Sequence, residues 1–419
     1  MPRPFQSSRH RTALVLSGGG ARGAYEAGVL VGFHDVLGAR AEARPIFDVL
    51  SGASVGAINI AHLAAHAERA DRGIPELVDL WTSLRLETHF KPRLRTFLGR
   101  SPLSVARHAA TGSLDASRWG RALLDPKPFE RMVGKLIPWG RLHANLQAGV
   151  IQALIVSAFN IGTGRTNTFV ELAPGASFVP LPERDPRRKS GVETITADHI
   201  LASAALPLLF PARRVGDAYY CDGGLRFNTP IAPAIRSGAS KLAIVALRAA
   251  HRAPETGHTR EQLEQYPHPM FLLGKIFDAL LQDPIDYDLQ VLERSNRVLD
   301  VMREAVPRPA LEQIAKVLEA DRGLPYRRLQ TLVFRPSATI GVLALEHVRR
   351  HGTPGASLSA SFLLERAASL GAHVEADFLS FILFDGAFAR TLIELGRSDV
   401  HARAAEVRAF FLEGPAAAT

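Results

Sequence analysis

The chain has 419 residues, of which 47% are hydrophobic and 22% are charged. This is ordinary globular composition, sufficient for one large domain and a second, smaller one. The 50 basic and 41 acidic residues give a formal charge of +9, which weakly favours an anionic partner. A single cysteine excludes an intrachain disulfide framework. No apolar run reaches the ~18 residues that a membrane-spanning helix needs.

Residues 1–11 form a basic N-terminal arm, MPRPFQSSRHR, and no apolar stretch of signal-peptide kind follows it. We therefore expect a cytoplasmic protein or one peripheral at the membrane. Export by a route that uses no cleavable signal stays open. An apolar strand, Thr12–Leu16, comes next and runs into glycines and a helical pattern. This glycine loop, residues 18–23, fits the dinucleotide-binding pattern G-x-G-x-x-G. It consists of Gly18, Gly19, Gly20, Ala21, Arg22 and Gly23.

The second glycine turn fits the nucleophile elbow G-x-S-x-G, with Gly52, Ser54 and Gly56 at its fixed positions. The apolar run IFDVLS precedes it and a helical pattern follows, as the motif requires. A dinucleotide site would place an acidic residue at the end of this second strand, whereas Asp48 lies at its start. We therefore predict that Ser54 is a nucleophile and that the glycine loop directs main-chain amides at an oxyanion. Arg22 would orient this loop or attract an anionic head group.

A third segment, YYCDGGLRFNTPI, places Asp222, Gly223 and Gly224 after a short strand. A carboxylate in this position is a candidate general base. By itself, the pattern is more typical of a turn aspartate that binds local amides. The neighbouring Cys221 is expected to be a small buried residue rather than a nucleophile.

Strand-like runs alternate with helical patterns as far as about residue 250. VIQALIVSAFN and KLAIVALRA have the composition of buried parallel strands. This alternation predicts an α/β domain at residues 12–250, layered α/β/α around a central, mostly parallel sheet. In residues 251–419 the apolar residues recur at three- and four-residue spacing, with one strand-like run, LQTLVFRP. We expect a mainly helical C-terminal extension packed on the α/β domain.

Four sequence blocks carry a family resemblance: GGGARGAYEAGVL, GASVGAIN, ASAALPLLFPA, and CDGG followed by NTPI. With these blocks in this order, the chain resembles the patatin-like phospholipases over about residues 12–247. Its helical C-terminal part is similar, more loosely, to an extension of some bacterial members. The resemblance implies a catalytic dyad of Ser54 and Asp222 and an oxyanion hole in the glycine loop. It implies serine-dependent hydrolysis of phospholipid esters through an acyl-enzyme, of phospholipase A or lysophospholipase type.

Three alternatives stay open from the residues alone. A Ser-His-Asp hydrolase shares the elbow, and His251 is the best-placed histidine, although it lies in a polar, turn-like stretch. His199, expected on a helix, is equally ordinary. A non-catalytic lipid-binding protein would use the same scaffold. Nucleic-acid binding is suggested by net charge alone, without a recognisable module, so we expect no nucleic-acid partner.

Two further stretches have two interpretations each. The basic run KPRLRTFLGR at 91–100 is either a solvated loop or a contact with an anionic bilayer. HPMFLLGKIFDALLQ at 268–282 either packs against other helices or lines an acyl chain. No H-E-x-x-H or C-x-x-C spacing occurs, so we expect neither a catalytic metal nor a cofactor. The sequence leaves the oligomeric state open.

Overall fold

The structure is a computed structural model. It describes residues 11–38, 41, 45–85, 125–207, 209–226, 229–249, 285–324, 327–352 and 379–412. His251, the basic run at 91–100 and the apolar stretch at 268–282 lie outside the described residues.

The described strands belong to one sheet and are numbered here in chain order. They are β1 (Arg11–Leu16), β2 (Val49–Ala53), β3 (Ala153–Asn160), β4 (Thr166–Leu172), β5 (Arg188–Val192), β6 (Arg213–Val215), β7 (Ala218–Asp222), β8 (Ala239–Val245) and β9 (Gln330–Phe334).

The described helices before β8 are α1 (Gly23–Leu37), α2 (Val55–Ala65), α3 (Ala70–Ser83), α4 (Pro126–Leu136), α5 (Trp139–Gln147), α6 (Ala197–Ser203) and α7 (Ile231–Arg236). Those after β8 are α8 (Ile285–Ala305), α9 (Arg308–Arg322), α10 (Ile340–His351), α11 (Gly386–Ala402) and α12 (Ala404–Leu412).

The sheet has the strand order β5-β4-β3-β2-β1-β8-β9, and the β6–β7 hairpin joins it through pairing of β7 with β3. Strands β3, β2, β1, β8 and β9 are parallel to one another, and β4 and β7 are both antiparallel to β3. The predicted mostly parallel α/β sheet is therefore confirmed. One edge strand, β9, is the run LQTLVFRP, so part of the predicted helical extension completes the sheet.

Side chains of β1 alternate between two hydrophobic layers, as the two-residue period of a strand requires. Leu14 and Leu16 belong to a large buried cluster that also contains side chains of α1, α2 and α11. Ala13 and Val15 belong to a smaller cluster on the other face, with side chains of α7 and α8. The sheet therefore has helices on both faces, which confirms the predicted layered architecture.

Helix α11 packs against α1 at close range, and glycines on both helices make this approach feasible. A Cβ added to Gly32 of α1 would lie 2.6 Å from the Cβ of Val400 in α11. A Cβ on Gly28 would collide with the main chain of Ile393, and one on Gly396 would collide with the main chain of Tyr25. The helix that follows the glycine loop is thus in direct contact with the C-terminal region.

Glu26 is a buried carboxyl in the first turn of α1. The Asn59 amide donates to its Oε2 at 2.8 Å, and Oε1 has no hydrogen-bond partner among the described residues. The Trp81 indole donates to Asn59 Oδ1 at 3.2 Å, so this chain of polar groups links α1, α2 and α3. Burial raises the pKa of Glu26 well above its usual value, and the hydrogen bond from Asn59 opposes the shift.

We predict that Glu26→Gln removes a pH dependence of stability. The folded protein retains the Glu26 proton at pH values at which the unfolded chain has lost it, so wild-type stability falls as pH rises above 4.5. Above pH 4.5, the free energy of unfolding of Glu26→Gln minus that of the wild type should increase by up to about 1.4 kcal/mol per pH unit. Urea denaturation at several pH values measures this difference. Glu394→Gln, at an exposed position of α11, is the control. Parallel curves for Glu26→Gln and the wild type would contradict this prediction.

Candidate active site

Ser54 lies between β2 and α2 in a conformation that residues with side chains rarely adopt. Its φ is 53° and its ψ is −125°, and within the described part of the chain no other non-glycine residue has a positive φ. The flanking glycines allow the turn to pack closely against the neighbouring main chain. A Cβ on Gly52 would lie 2.6 Å from the carbonyl oxygen of Gly56, and one on Gly56 would lie 2.7 Å from that of Leu16. Strand, turn and helix thus have the geometry of a nucleophile elbow.

Strand β3 brings Asp222 next to Ser54. It pairs in parallel with β2, where Ala53 is opposite Ser157, and antiparallel with β7, where Ala158 is opposite Asp222. Two consecutive residues of β3 therefore align the ends of the two strands that carry the predicted nucleophile and base.

Ser54 and Asp222 are joined by a direct hydrogen bond. Ser54 Oγ donates to Asp222 Oδ2 at 2.6 Å, and the Gly224 amide donates to Oδ1 at 2.7 Å. Gly223 allows this turn to approach β3, because a Cβ there would collide with a main-chain carbonyl. Asp222 is 1% exposed. Burial raises its pKa to about 6, although the hydrogen bonds from Ser54 and Gly224 oppose the shift. The carboxylate is thus a stronger base than an ordinary aspartate.

Ser203 is a site residue that the sequence did not single out. Its Oγ accepts a hydrogen bond from the Ser54 amide at 2.8 Å and donates one to the carbonyl oxygen of Ser157 at 2.7 Å. It therefore fixes the main chain of the elbow and engages the Ser54 amide. Ser203 lies in the block ASAALPLLFPA, but a serine on a helix of small residues gives no sign of its partner.

The NTPI block ties together the carboxyl ends of β1 and β2. The hydroxyls of Thr229 and Ser17 share a hydrogen bond of 2.7 Å, just after β1. The hydroxyl of Ser51 in β2 donates to the carbonyl oxygen of Pro230 at 2.9 Å. These contacts hold the strand that leads into the glycine loop beside the strand that leads into the elbow.

Two residues of the glycine loop, Gly19 and Gly20, line the cleft that contains Ser54 and Asp222. Gly19 is extended, with φ 173°, whereas Gly20 has φ 57°, a value that favours glycine. Gly18 precedes them and is buried.

The other residues of the loop support the packing around it. Ala21 and Arg22 are buried in a short 3-10 turn, and the Arg22 amide donates to the carbonyl oxygen of Gly19 at 3.2 Å. Gly23 begins α1, and a Cβ there would lie 2.6 Å from a methyl group of α2. The Arg22 side chain is 4% exposed, and its Nε donates to Ser380 Oγ at 2.7 Å. This burial favours the orienting interpretation of Arg22 over capture of a head group.

The cleft above Ser54 is largely apolar. Its hydrophobic lining comes from α2, from α4, from the segment after α6 and from the C-terminal region, and consists of Val55, Ile58, Phe129, Ala204, Leu206, Leu209, Phe210, Phe381 and Phe384. The rings of Phe129 and Phe210 stack with their centroids 5.1 Å apart. Such a cleft suits a hydrocarbon chain, since burial stabilises it by about 0.8 kcal/mol per methylene.

His199 has a structural role in the described part of the chain. Its Nδ1 accepts a hydrogen bond from the Thr196 amide at 3.1 Å, which closes a capping box at the start of α6. Burial lowers its pKa. Neither His199 nor any other described histidine is hydrogen-bonded to Ser54 or Asp222.

One group of metal-ligand type is present among the described residues, near the end of α2 remote from Ser54. His62, His66 and Glu76 bring their donor atoms within 4.8 Å of one another. Both histidines already meet carbonyl oxygens: His62 Nε2 lies 2.7 Å from that of Gly73, and His66 Nδ1 lies 2.9 Å from that of His62. Since carbonyls only accept, these nitrogens carry protons. His66 Nε2 faces Glu76 at 3.0 Å, so the group is explained as a hydrogen-bonded link between α2 and α3.

Comparisons with known proteins match the part of the chain that contains the four sequence blocks. The family model for patatin-like phospholipase matches residues 14–235, just over half of the chain. A protein of Pseudomonas aeruginosa (strain BWHPSA011 / Pa011), a cGAMP-activated phospholipase, is 32% identical over 222 residues. This match covers 52% of the chain and 53% of that protein, so the chain spans about half the length of the relative.

Among solved structures, VipD from Legionella pneumophila aligns over 92% of each chain, at 13% identity and with a TM-score of 0.27. That score is too low to indicate a shared overall geometry.

Among the described helices, none has both the length and the apolar character needed to cross a membrane.

We predict that the Cys221 thiol is inert in the folded protein. The side chain is 6% exposed, and burial, with a smaller effect of the charge on Asp222, raises its pKa to about 12. The thiolate that a disulfide reagent attacks is therefore scarce. Reaction with such a reagent at pH 8 should be at least ~100-fold slower than after unfolding, and the single cysteine makes the signal unambiguous. Equal rates in native and unfolded protein would show that Cys221 is accessible.

Proposed function

Because this chain belongs to the patatin-like phospholipase family, we propose that it hydrolyses carboxylic ester bonds of phospholipids with Ser54 as nucleophile and Asp222 as base. The observation that carries the proposal is the direct 2.6 Å hydrogen bond between Ser54 Oγ and Asp222 Oδ2. In a Ser-His-Asp triad an imidazole separates the two side chains. A direct contact leaves no room for it, which favours the dyad.

The proposed reaction has two halves. Ser54 Oγ bonds to the ester carbonyl carbon while its proton passes to Asp222, and the carbonyl oxygen takes the negative charge. The tetrahedral intermediate collapses, and the alcohol leaves with the proton from Asp222. Water then attacks the acyl-enzyme and gives a proton to Asp222. The fatty acid is released as that proton returns to the Ser54 oxygen.

The glycine loop is the proposed source of donors for the oxyanion. Gly19 and Gly20 line the cleft beside Ser54, and neither has a side chain that would obstruct a main-chain amide. The Ser54 amide is not counted among these donors, because it donates to Ser203 Oγ. Main-chain donors aimed at the developing charge lower the barrier in such sites, typically by about 3–4 kcal/mol for each donor.

The cleft and the charge of the protein support a lipid substrate. An apolar cleft beside Ser54 accommodates an acyl chain, and a formal charge of +9 favours approach to an anionic lipid surface. A protein that only binds lipid would have no use for a serine at φ 53°, which costs about 1–3 kcal/mol. The strained serine therefore favours an enzyme over a binding protein.

We predict that Ser54→Ala and Asp222→Asn each lower phospholipid hydrolysis at least ~1000-fold while the protein stays folded. Each variant removes one half of a single proton-transfer unit, so the double variant should be no worse than either single variant. Release of fatty acid from mixed phospholipid vesicles, followed by mass spectrometry, measures this. Because the Pseudomonas relative is named for activation by cGAMP, each assay is run with and without that nucleotide.

Two control variants accompany the dyad variants. Asp48→Asn changes an aspartate at the opposite end of β2, whose carboxylate accepts the Thr12 amide at 2.8 Å, and it should keep activity within about threefold. His251→Ala should also keep most activity. If His251→Ala abolished turnover while Asp222→Asn only reduced it, a triad hydrolase would replace the proposed dyad.

We predict that kcat/KM rises with pH through about 6 and is level above it. Asp222 must be ionised to accept the Ser54 proton, so activity should fall about tenfold per pH unit below its pKa. The profile is measured with a zwitterionic substrate that does not titrate in this range, with circular dichroism to verify folding. A rate that is unchanged down to pH 4.5 would contradict a role for the buried carboxylate as base.

A further inference from the structure

We propose that residues 379–385 in the C-terminal region position the glycine loop for catalysis through a hydrogen bond between Ser380 and Arg22. This inference rests on the proposed ester hydrolysis. The segment lies more than 140 positions beyond the end of the family match at residue 235, since 379 − 235 = 144. It nevertheless contributes Phe381 and Phe384 to the cleft that contains Ser54.

The contact with Arg22 is buried and directional. Arg22 Nε donates to Ser380 Oγ at 2.7 Å, and the guanidinium carbon lies 3.9 Å from the centroid of the Phe381 ring. Arg22 is 4% exposed and Ser380 is fully buried. A hydrogen bond to a charged group in such surroundings is strong, and the aromatic face adds a cation–π attraction.

Arg22 transmits this contact to the cleft because it closes the turn of the glycine loop. Its amide donates to the carbonyl oxygen of Gly19, and this bond closes the turn that contains Gly20. Gly20 also touches the segment directly: a Cβ there would collide with the carbonyl oxygen of Phe381. The orientation of the Gly20 amide thus depends on where the segment lies.

The segment itself is fixed at its C-terminal end. The Asp385 carboxylate accepts the amides of Ala387 and Phe388 at 2.9 Å each, which caps α11. His347 Nε2 lies 3.2 Å from the same carboxylate. Gly386 packs so closely on α3 that a Cβ there would collide with the carbonyl oxygen of Thr82. These contacts fix the end of the segment five residues after Ser380. Ser380 is therefore a positioning residue that acts through Arg22.

The test compares Ser380→Ala with Tyr25→Phe as a matched control. Ser380→Ala removes the acceptor of the Arg22 hydrogen bond, and Tyr25→Phe removes the hydrogen bond that the Tyr25 hydroxyl donates to Asp399 of α11 at 2.9 Å. Both bonds join the N-terminal end of α1 to the C-terminal region. We expect Ser380→Ala to lower kcat on phosphatidylcholine at least ~10-fold with KM changed by less than about twofold. Tyr25→Phe should keep kcat within about twofold. A structural role alone would affect the melting temperatures of both variants and leave kcat unchanged.

Hydrogen exchange gives a second readout that does not depend on activity. The amides of residues 17–22 should exchange faster in Ser380→Ala than in Tyr25→Phe. The inference is overturned if Ser380→Ala matches Tyr25→Phe in both kcat and exchange. If the wild type shows no Ser54-dependent hydrolysis, the proposed function has failed. Exchange alone then decides, with faster exchange supporting the positioning role and equal exchange overturning it.

A second variant covers the case in which Ser380→Ala does not fold. Arg22→Met removes the same donor and keeps an unbranched chain in the buried position. It should lower kcat at least as much as the expectation for Ser380→Ala, with KM again little changed. Normal kcat in folded Arg22→Met would overturn the inference.

Discussion

The hydrogen bond between Ser54 and Asp222 is the interaction on which the candidate site depends. It requires a serine at positive φ and a carboxylate removed from water, and each of these is unfavourable by itself. The surrounding strands offset the cost of the positive φ and the cost of burying the carboxylate. Pairing of β3 with β2 on one side and β7 on the other fixes the two strand ends. Close packing at Gly52, Gly56 and Gly223 leaves the turns little freedom to relax.

Glycines in this protein serve two distinct purposes. In the elbow and in the α1–α11 contact they allow main chains to approach within distances that a Cβ would prevent. In the glycine loop they also keep side chains away from the cleft wall beside Ser54. Gly20 serves both purposes, because it lines the cleft and also allows the carbonyl oxygen of Phe381 to approach.

The C-terminal region contributes a strand and helices to the layered fold. Strand β9 completes the sheet beside β8, and α11 lies directly against the helix that follows the glycine loop. Arg22, a residue of the matched region, has its side chain bound to Ser380, outside that region. Removal of the C-terminal region would expose the hydrophobic face of α1 as well as the buried Arg22. The division into domains at residue 250 stays a prediction.

The sequence by itself determined the features that are local in the chain. The elbow around Ser54, the glycine loop and the turn after Asp222 are short patterns whose backbone requirements are written in consecutive residues, and the alternation of apolar runs gave the layered fold. Tertiary structure decided what depends on distant segments: the β3 register, the hydrogen bond of Ser203 to the elbow, and the contact of Ser380 with Arg22. Such contacts join residues far apart in sequence. A buried serine or arginine gives no local sign of its partner, because the partner is chosen by how the layers pack.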